Sequence, residues 1–433
     1  MRSGMDVSLS RLPARILLVA GAVACAGAIT WAAGRNWMAV HWFTTRNPAD
    51  WNRAIQLEPN NAGYWDRVGL YEEWNFLHGN IHGAIADFQR ATQLDPRSAR
   101  HWMALAGAYE VAGETAQARR AYERAQADHP VSADVAWRFG SFLLRHGDWS
   151  QAALKIHRAL LDEPELTGSA VSQFWKAGAA IQMILNHVLP DRRRVYLAAI
   201  TYFLAQNEDD PALACWQRLA RSGQKISLQE TLPLIDHLLA GHRGAQAAQV
   251  WQEALAASAH PGAASDGSLI FNGDFAYPFV EGGFGWRQSP VPGTAFDLVT
   301  DVTHDSPRAA RVVFDGSANV DYANLWQFVP VTPGTRYQFS AFMRTDSISS
   351  ASGPQFQLRT CSEPSKVEGQ TPVMTGTHPW TRVQAEFTTG PTEHCVVVRL
   401  RRKPSPFGSH IRGAVWIDHV QLKRLPASGT ARP

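Results

Sequence analysis

The chain has 433 residues, 45% of them hydrophobic and 18% charged, which is enough apolar material for two or three cored domains and does not fit a disordered protein. Lys and Arg number 41 against 38 Asp and Glu, so the net charge is only +3, and this balance gives no footprint for nucleic acid or for an acidic substrate. Four cysteines are too few for a disulfide scaffold and none pair at zinc-ligand spacing, whereas 16 Trp is high and suits helix knobs or rings at a sugar or membrane boundary.

Ile16 to Ala33 reads ILLVAGAVACAGAITWAA, without a charge and at the lower edge of bilayer-spanning length. Arg2, Arg11 and Arg15 precede it against Asp6 alone, Arg35 follows, and Trp31, Trp37 and Trp42 fall at interfacial depth. The expectation is a transmembrane anchor over 16–34, a short cytoplasmic tail over 1–15, and the bulk of the chain on the periplasmic or extracellular side of an inner or plasma membrane. A cleaved signal, from Ala24-Cys25-Ala26, and a lipoprotein signal ending at Cys25 are the two competing uses of the segment.

The stretch from 47 to 257 is periodic. Pro96, Pro130 and Pro164 recur every 34 residues, as do Ala91, Ala125 and Ala159, then Phe88, Tyr122 and Ile156, then Ala84, Ala118 and Ala152. Pro59 and Ala54 precede their counterparts by 37, which places a three-residue insertion within Tyr71 to Asn80. The best unit is Trp102, Leu105, Ala106 and Tyr109, then Ala118, Tyr122, Ala125 and Pro130; in the next, Gly140 takes the small position, Leu143 the aromatic one, and Ala152, Ala159 and Pro164 complete it. These residues resemble the tetratricopeptide repeat family. The resemblance implies helix pairs in which small residues allow close approach, aromatics fill the gap to the next pair and proline ends the second helix, the whole forming an all-α superhelix whose groove docks a partner protein or peptide. Less regular pairs follow at Pro190 to Gly223 and Leu232 to Ala256, giving about five pairs and a half unit around Trp51. A rigid spacer is the alternative use of such an array.

Residues 258–268 are small, polar and Pro/Gly-bearing, and read as a linker. Beyond them short β-rich runs alternate with turn residues: ARVVF, NLWQFVPV, RYQFSAFMRT, QFQLRTC, RVQAEFTT, CVVVRLRR and AVWIDHVQL, as expected of an antiparallel sandwich over 269–424. The opening Asn272-Gly273-Asp274-Phe275 and the closing Trp416-Ile417-Asp418 resemble the jelly-roll, galactose-binding-like carbohydrate-binding modules. The resemblance implies that opening loop and closing strand lie side by side, with Asp274 and Asp418 at the place of a structural calcium in some members; otherwise both carboxylates serve turn and strand-end amides. No other cofactor is expected.

Sugar recognition needs flat aromatics and hydroxyl-binding side chains. The candidates are Tyr277, Trp286, Tyr322, Gln357, Arg359 and Trp380. Phe284, Trp326 and Gln327 belong to the same pool, and alternation in NLWQFVPV sets Trp326 and Phe328 on one face, read as core, with Gln327 and Val329 on the other. Trp416 shares a face with Asp418 and Val420 by the same rule. Cys361 and Cys395 stand at strand ends where a bridge would fit an oxidising compartment. Residues 425–433 read as a disordered tail.

No nucleophile elbow, phosphate loop or HExxH is present, and His78 and His82 are separated by Gly79-Asn80 and lack carboxylate co-ligands. The expected function is therefore a non-enzymatic, membrane-anchored envelope scaffold: helices docking a protein, the sandwich binding glycan, in surface polysaccharide assembly or export, with no nucleic-acid partner. The rivals are an adaptor whose sandwich makes protein contacts only, and an accessory to, or cryptic form of, a glycoside-active enzyme.

Overall fold

The computed structural model describes residues 12–426, apart from 46, 75–78, 259–266, 364, 408 and the side chain of Ala14. Residues 1–11 of the expected cytoplasmic tail, most of the expected linker, His78 and the C-terminal tail from 427 onward lie outside the described residues, whereas residues 12–15 open α1.

Among the described residues fourteen α-helices come first: α1 (Leu12–Thr44), α2 (Pro48–Leu57), α3 (Ala62–Trp74), α4 (Ile81–Leu94), α5 (Ala99–Val111), α6 (Thr115–Asp128), α7 (Ala133–Arg145), α8 (Trp149–Asp162), α9 (Thr167–Lys176), α10 (Ile181–Met183, which runs on as a π-turn), α11 (Arg193–Ala205), α12 (Asp209–Arg221), α13 (Leu228–Ala240) and α14 (Gly244–Ser258). Ten strands follow: β1 (Trp286–Gln288), β2 (Thr294–Val299), β3 (Ala309–Asp315), β4 (Tyr322–Pro330), β5 (Arg336–Ile348), β6 (Gln355–Thr360), β7 (Val367–Gln370), β8 (Gly376–Thr388), β9 (Cys395–Arg402) and β10 (Arg412–Arg424). The chain forms two compact units. One is Met1–Leu166 with Lys176–Gly178 and Asn186–Pro190; the other is Thr167–Trp175, Ala179–Leu185 and Asp191–Pro433. The compact units therefore do not follow the composition change at 258–268: α11 to α14 belong with the strands.

In the first unit α1 is longer than the apolar run that announced it. Nothing between Ala33 and Thr44 breaks a helix, and the stop comes at Asn47-Pro48, where the Asn47 side chain accepts from the Ala49 amide and proline opens α2. The helix of 33 residues is about 50 Å long at 1.5 Å per residue. Its apolar side chains through Met38 are exposed, whereas Ala39 is buried and Trp42 and Phe43 pack on Trp51, Ala54, Ile55, Tyr64 and Val68. The last turns of α1 thus supply the missing partner of the half unit around Trp51.

Helices α3–α4, α5–α6 and α7–α8 pack as the pairs the period requires. The small positions are tight. A Cβ on Gly140 would sit 2.8 Å from Ile156, and one on Gly69, which the 37-residue spacing puts in register with Ala106, would sit 2.8 Å from Phe88. Ala84, Ala118, Ala125, Ala152 and Ala159 are fully buried, and Tyr122 stacks on Phe139 at 5.5 Å. Tryptophan has a repeated polar use as well: the indoles of Trp51, Trp65 and Trp102 each donate at 2.9 Å to the carbonyl six residues earlier, tying the helix to the preceding turn.

The second unit contains pairs α11–α12 and α13–α14 and two five-stranded antiparallel sheets. Sheet 1 runs β1-β4-β9-β6-β7 and sheet 2 runs β2-β3-β10-β5-β8. One hydrophobic core joins them, with Leu325, Val329, Phe356, Leu358, Val398 and Leu400 from sheet 1 and Val312, Phe314, Phe339, Ala341, Val415 and Ile417 from sheet 2. The opening loop and the closing strand are neighbours, as the Leu269 amide donates to Leu422 O at 2.9 Å and the Val420 amide to Gly273 O at 2.8 Å.

The α13–α14 pair packs on this body. Trp251 of α14 meets Phe271 and Phe284 edge-on or tilted at 5.1 and 5.9 Å, and Asp236 of α13 accepts from the Gly283 amide at 2.8 Å and from Arg287 at 2.6 Å. Gly282 and Gly283 are where the chain approaches closest: a Cβ on either would come within 2.9 Å of Leu232 or Trp251.

Candidate binding face

Strand β9 alternates strictly. Val396, Val398 and Leu400 point into the core, so Val397, Arg399 and Arg401 point out of sheet 1. Register carries this face across the sheet: Arg287 pairs with Trp326, Trp326 with Arg399, Arg399 with Gln357, and Gln357 with Gln370. One cross-strand row therefore presents guanidinium, indole, guanidinium and two amides. The adjoining row holds Phe328, Val397 and Arg359. Arg399 donates to Gln357 Oε1 at 2.9 Å, and the Arg287 guanidinium lies 4.7 Å from the Trp326 ring and 5.1 Å from that of Phe328. Trp326, Arg399 and Arg359 are half-buried, Gln357 is buried and Gln370 is exposed, so the face opens toward β7, while at β1 Arg287 is tied to α13. Such a mix of ring and planar hydrogen-bonding groups is what a polar ring ligand needs.

The structure sorts the residues expected from sequence. Gln357 and Arg359 are on this face. Trp286 and Tyr322 are not exposed: both belong to the core between the sheets, and the Trp286 indole donates to Asn272 O at 3.2 Å. Burial drives the Tyr322 hydroxyl pKa upward. Trp380 packs with Val299, Ala309 and Trp416 in a small cluster on the opposite sheet. Tyr277 is at the surface of the opening loop, where the Asn272 side chain bonds its amide at 3.0 Å and its carbonyl at 2.8 Å. Cys361 and Cys395 form a disulfide with Cα atoms 5.5 Å apart.

Two readings of alternation are corrected. Trp326 and Phe328 point outward and Gln327 inward, because the outer face of β4 is itself partly covered, by Arg287 and α14, and Gln327 finds a partner inside by donating to Phe271 O at 2.8 Å. Trp416 and Val420 do not share a face: a bulge between Asp418 and Gln421, with His419 at φ +49°, shifts the register by a residue, so Val420 enters the core and Trp416 stays on the outer side. Arg399 was absent from the expected set, although the Val397-Arg399-Arg401 alternation in CVVVRLRR carried the signal.

The two carboxylates expected at a calcium site have other duties. Asp418 is fully buried and its oxygens accept from the His304 and His419 amides, each at 2.7 Å, while Asp274 accepts from the Ala276 amide at 3.4 Å. Both contacts are of the turn or strand-end kind.

A guanidinium also takes the inward place at the end of β9. Arg402 is fully buried and donates to the carbonyls of Ser352, Val320 and Ser409, to Asn319 Oδ1 and to Ser350 Oγ at 2.5–3.3 Å, fastening three loops. In the helical array, burial and then Glu72 raise the Asp87 carboxyl pKa to about 6, and burial raises those of Glu72 and Glu73.

Comparison with known proteins agrees on the helices. A tetratricopeptide repeat model matches residues 76–139. No curated protein matches by sequence. Among solved structures the chain is similar to MamA (17% identity, 40% of this chain and 85% of that one, TM-score 0.27) and to pilF of Pseudomonas aeruginosa (22%, 47% and 93%, TM-score 0.26). A third is the CBM22-1–GH10 part of Clostridium thermocellum xylanase 10B, complexed with xylohexaose (15%, 34% and 27%, TM-score 0.24).

Proposed function

We propose that this chain is a membrane-anchored scaffold in which the helical repeats dock a partner protein and a jelly-roll sandwich binds glycan through the outer face of sheet 1, in the assembly or export of surface polysaccharide. The observation that carries the glycan reading is the row Arg287, Trp326, Arg399, Gln357 and Gln370, an indole set among planar donors and acceptors. The anchor is α1, whose run from Arg15 to Thr44 is long and apolar enough to cross a bilayer, a test that a signal sequence also passes. The Cys361–Cys395 bridge favours the oxidising side for the rest of the chain.

The test is retardation of the full-length protein, in non-ionic detergent micelles, by gels containing neutral or acidic polysaccharides. The expected result is retardation that Trp326→Ala weakens at least fivefold. A specific observation favours the adaptor as second reading: α13 and α14 already occupy part of this face with a protein contact. Mobility unchanged by every polysaccharide would establish the adaptor instead.

A further inference from the structure

The near-neutral charge of the whole chain conceals a local imbalance on the outer face of sheet 1. Arg401 is answered by Asp321, and Arg287 by Asp236. Arg359 makes no hydrogen bond or ion pair among the described residues, and Arg399 makes one, to the neutral oxygen of Gln357. The Nε of each is buried without an acceptor. Two half-buried guanidinium groups with no carboxylate at ion-pair distance among the described residues leave this face short of negative charge, which an anion supplied from outside would offset. Burial, then the fields of Arg359 and Arg401, lowers the Arg399 pKa to about 10, with Asp321 opposing them in part.

The unpaired donors also specify the shape of the anion. A guanidinium offers coplanar N–H donors that match the two oxygens of a carboxylate, and two half-buried guanidinium groups stand on adjacent strands of this face, Arg359 opposite Val397 and Arg399 opposite Gln357. Beside them lie the Trp326 ring and the exposed Gln370 amide, which suit a pyranose and its hydroxyls better than an extended acidic peptide, for which a free strand edge would be the usual receiver.

We infer that this face takes an acidic polysaccharide whose sugar rings carry carboxylates, the carboxylate held by Arg359 and Arg399 and the ring by Trp326. The inference rests on the glycan reading above and adds the charge class of the ligand.

The test uses full-length protein in non-ionic detergent micelles, run through gels containing alginate, xylan, dextran sulfate or polyglutamate. Alginate is expected to retard most. Arg359→Gln and Arg399→Gln are each expected to weaken alginate retardation at least tenfold and xylan retardation much less, while Trp326→Ala weakens both alike; matching melting curves establish that the variants fold. Xylan retardation equal to that by alginate, sensitive to Trp326→Ala and indifferent to the arginine variants, would overturn the acidic assignment and leave the glycan reading standing. Equal or stronger retardation by dextran sulfate or polyglutamate would overturn it in favour of a sulfated or peptide ligand. Absence of retardation in every gel would remove both readings together.

Discussion

The repeat array and the two-sheet body both hide apolar faces, but with contacts of very different reach. In the array the polar ties between pairs recur about one repeat apart: Asp66 to His101 and Glu110 to Arg145 span 35 residues, Arg193 to Glu230 and Trp216 to Glu253 span 37. In the body Arg402 reaches 82 residues back to Val320, and Asp418 reaches 114 back to the His304 amide. An array of nearest-neighbour contacts tolerates a local fault with local damage, whereas a body closed by long-range contacts fails as a whole.

The widest test of that difference is Arg402→Leu, which removes one cation and orphans the carbonyls of Val320, Ser352 and Ser409. A loss of about 3–5 kcal/mol is expected in denaturant unfolding followed through the sheet signal, with far-ultraviolet helical signal from the first unit retained. If both signals fell together, the contrast between the regions would fail.

Gly140→Leu is the matching fault in the array. The side chain has to enter where Ile156 is 2.8 Å from a bare Cβ, so α7 and α8 part at a cost of about 1–3 kcal/mol, seen as faster amide exchange in that pair and unchanged exchange in the sheets. The same substitution at Gly113, whose Cβ would meet no atom within 4 Å, strains the backbone at φ +78° without displacing a helix.

Asp236→Ala sharpens the comparison at the place where helix and sheet meet within the second unit. It leaves the half-buried Arg287 and the Gly283 amide without their acceptor, and a loss of about 1–2 kcal/mol is expected. Thermal scans of the variant should then show α13–α14 loosening before the sheets.

The smallest effect concerns pH. The Asp87 pKa in the folded chain, about 6, lies above its ordinary value of 3.8, so the fold binds this proton more tightly than the unfolded chain does. Its contribution therefore rises as pH falls from above 6 toward 4 and is absent at higher pH. Asp87→Asn should flatten that dependence and stabilise the array at pH 7.5 by about 1 kcal/mol or less, once solvent screening is allowed for, measured by denaturant titration at both pH values.

What the sequence disclosed follows the same division. Spacings of 34 and 37 were enough to place the helix pairs and their small positions, because a repeat writes the same packing rule several times over. The strands were legible too, as β-rich runs between turns. Their faces were not. Alternation separates Trp326 from Gln327 but does not say which side is wet when a helix pair covers the outer side, and it fails outright past the bulge at Asp418. The proposed binding row is subject to the same limit. Gln357 and Arg359 were recoverable as polar residues in a strand, while Arg399 and Trp326 joined them only once register was known, and Trp286 and Tyr322, attractive by residue type, turned out to fill the core.

One feature near the start of the chain bears on mechanics. On the proposed membrane placement, α1 runs unbroken from lipid to Ala39 and the first repeat pair, with no swivel at the bilayer surface. Whatever pulls on that first pair would tilt the embedded rod as well, so the scaffold would stand at a set height and transmit torque into the membrane instead of trailing from a slack tether.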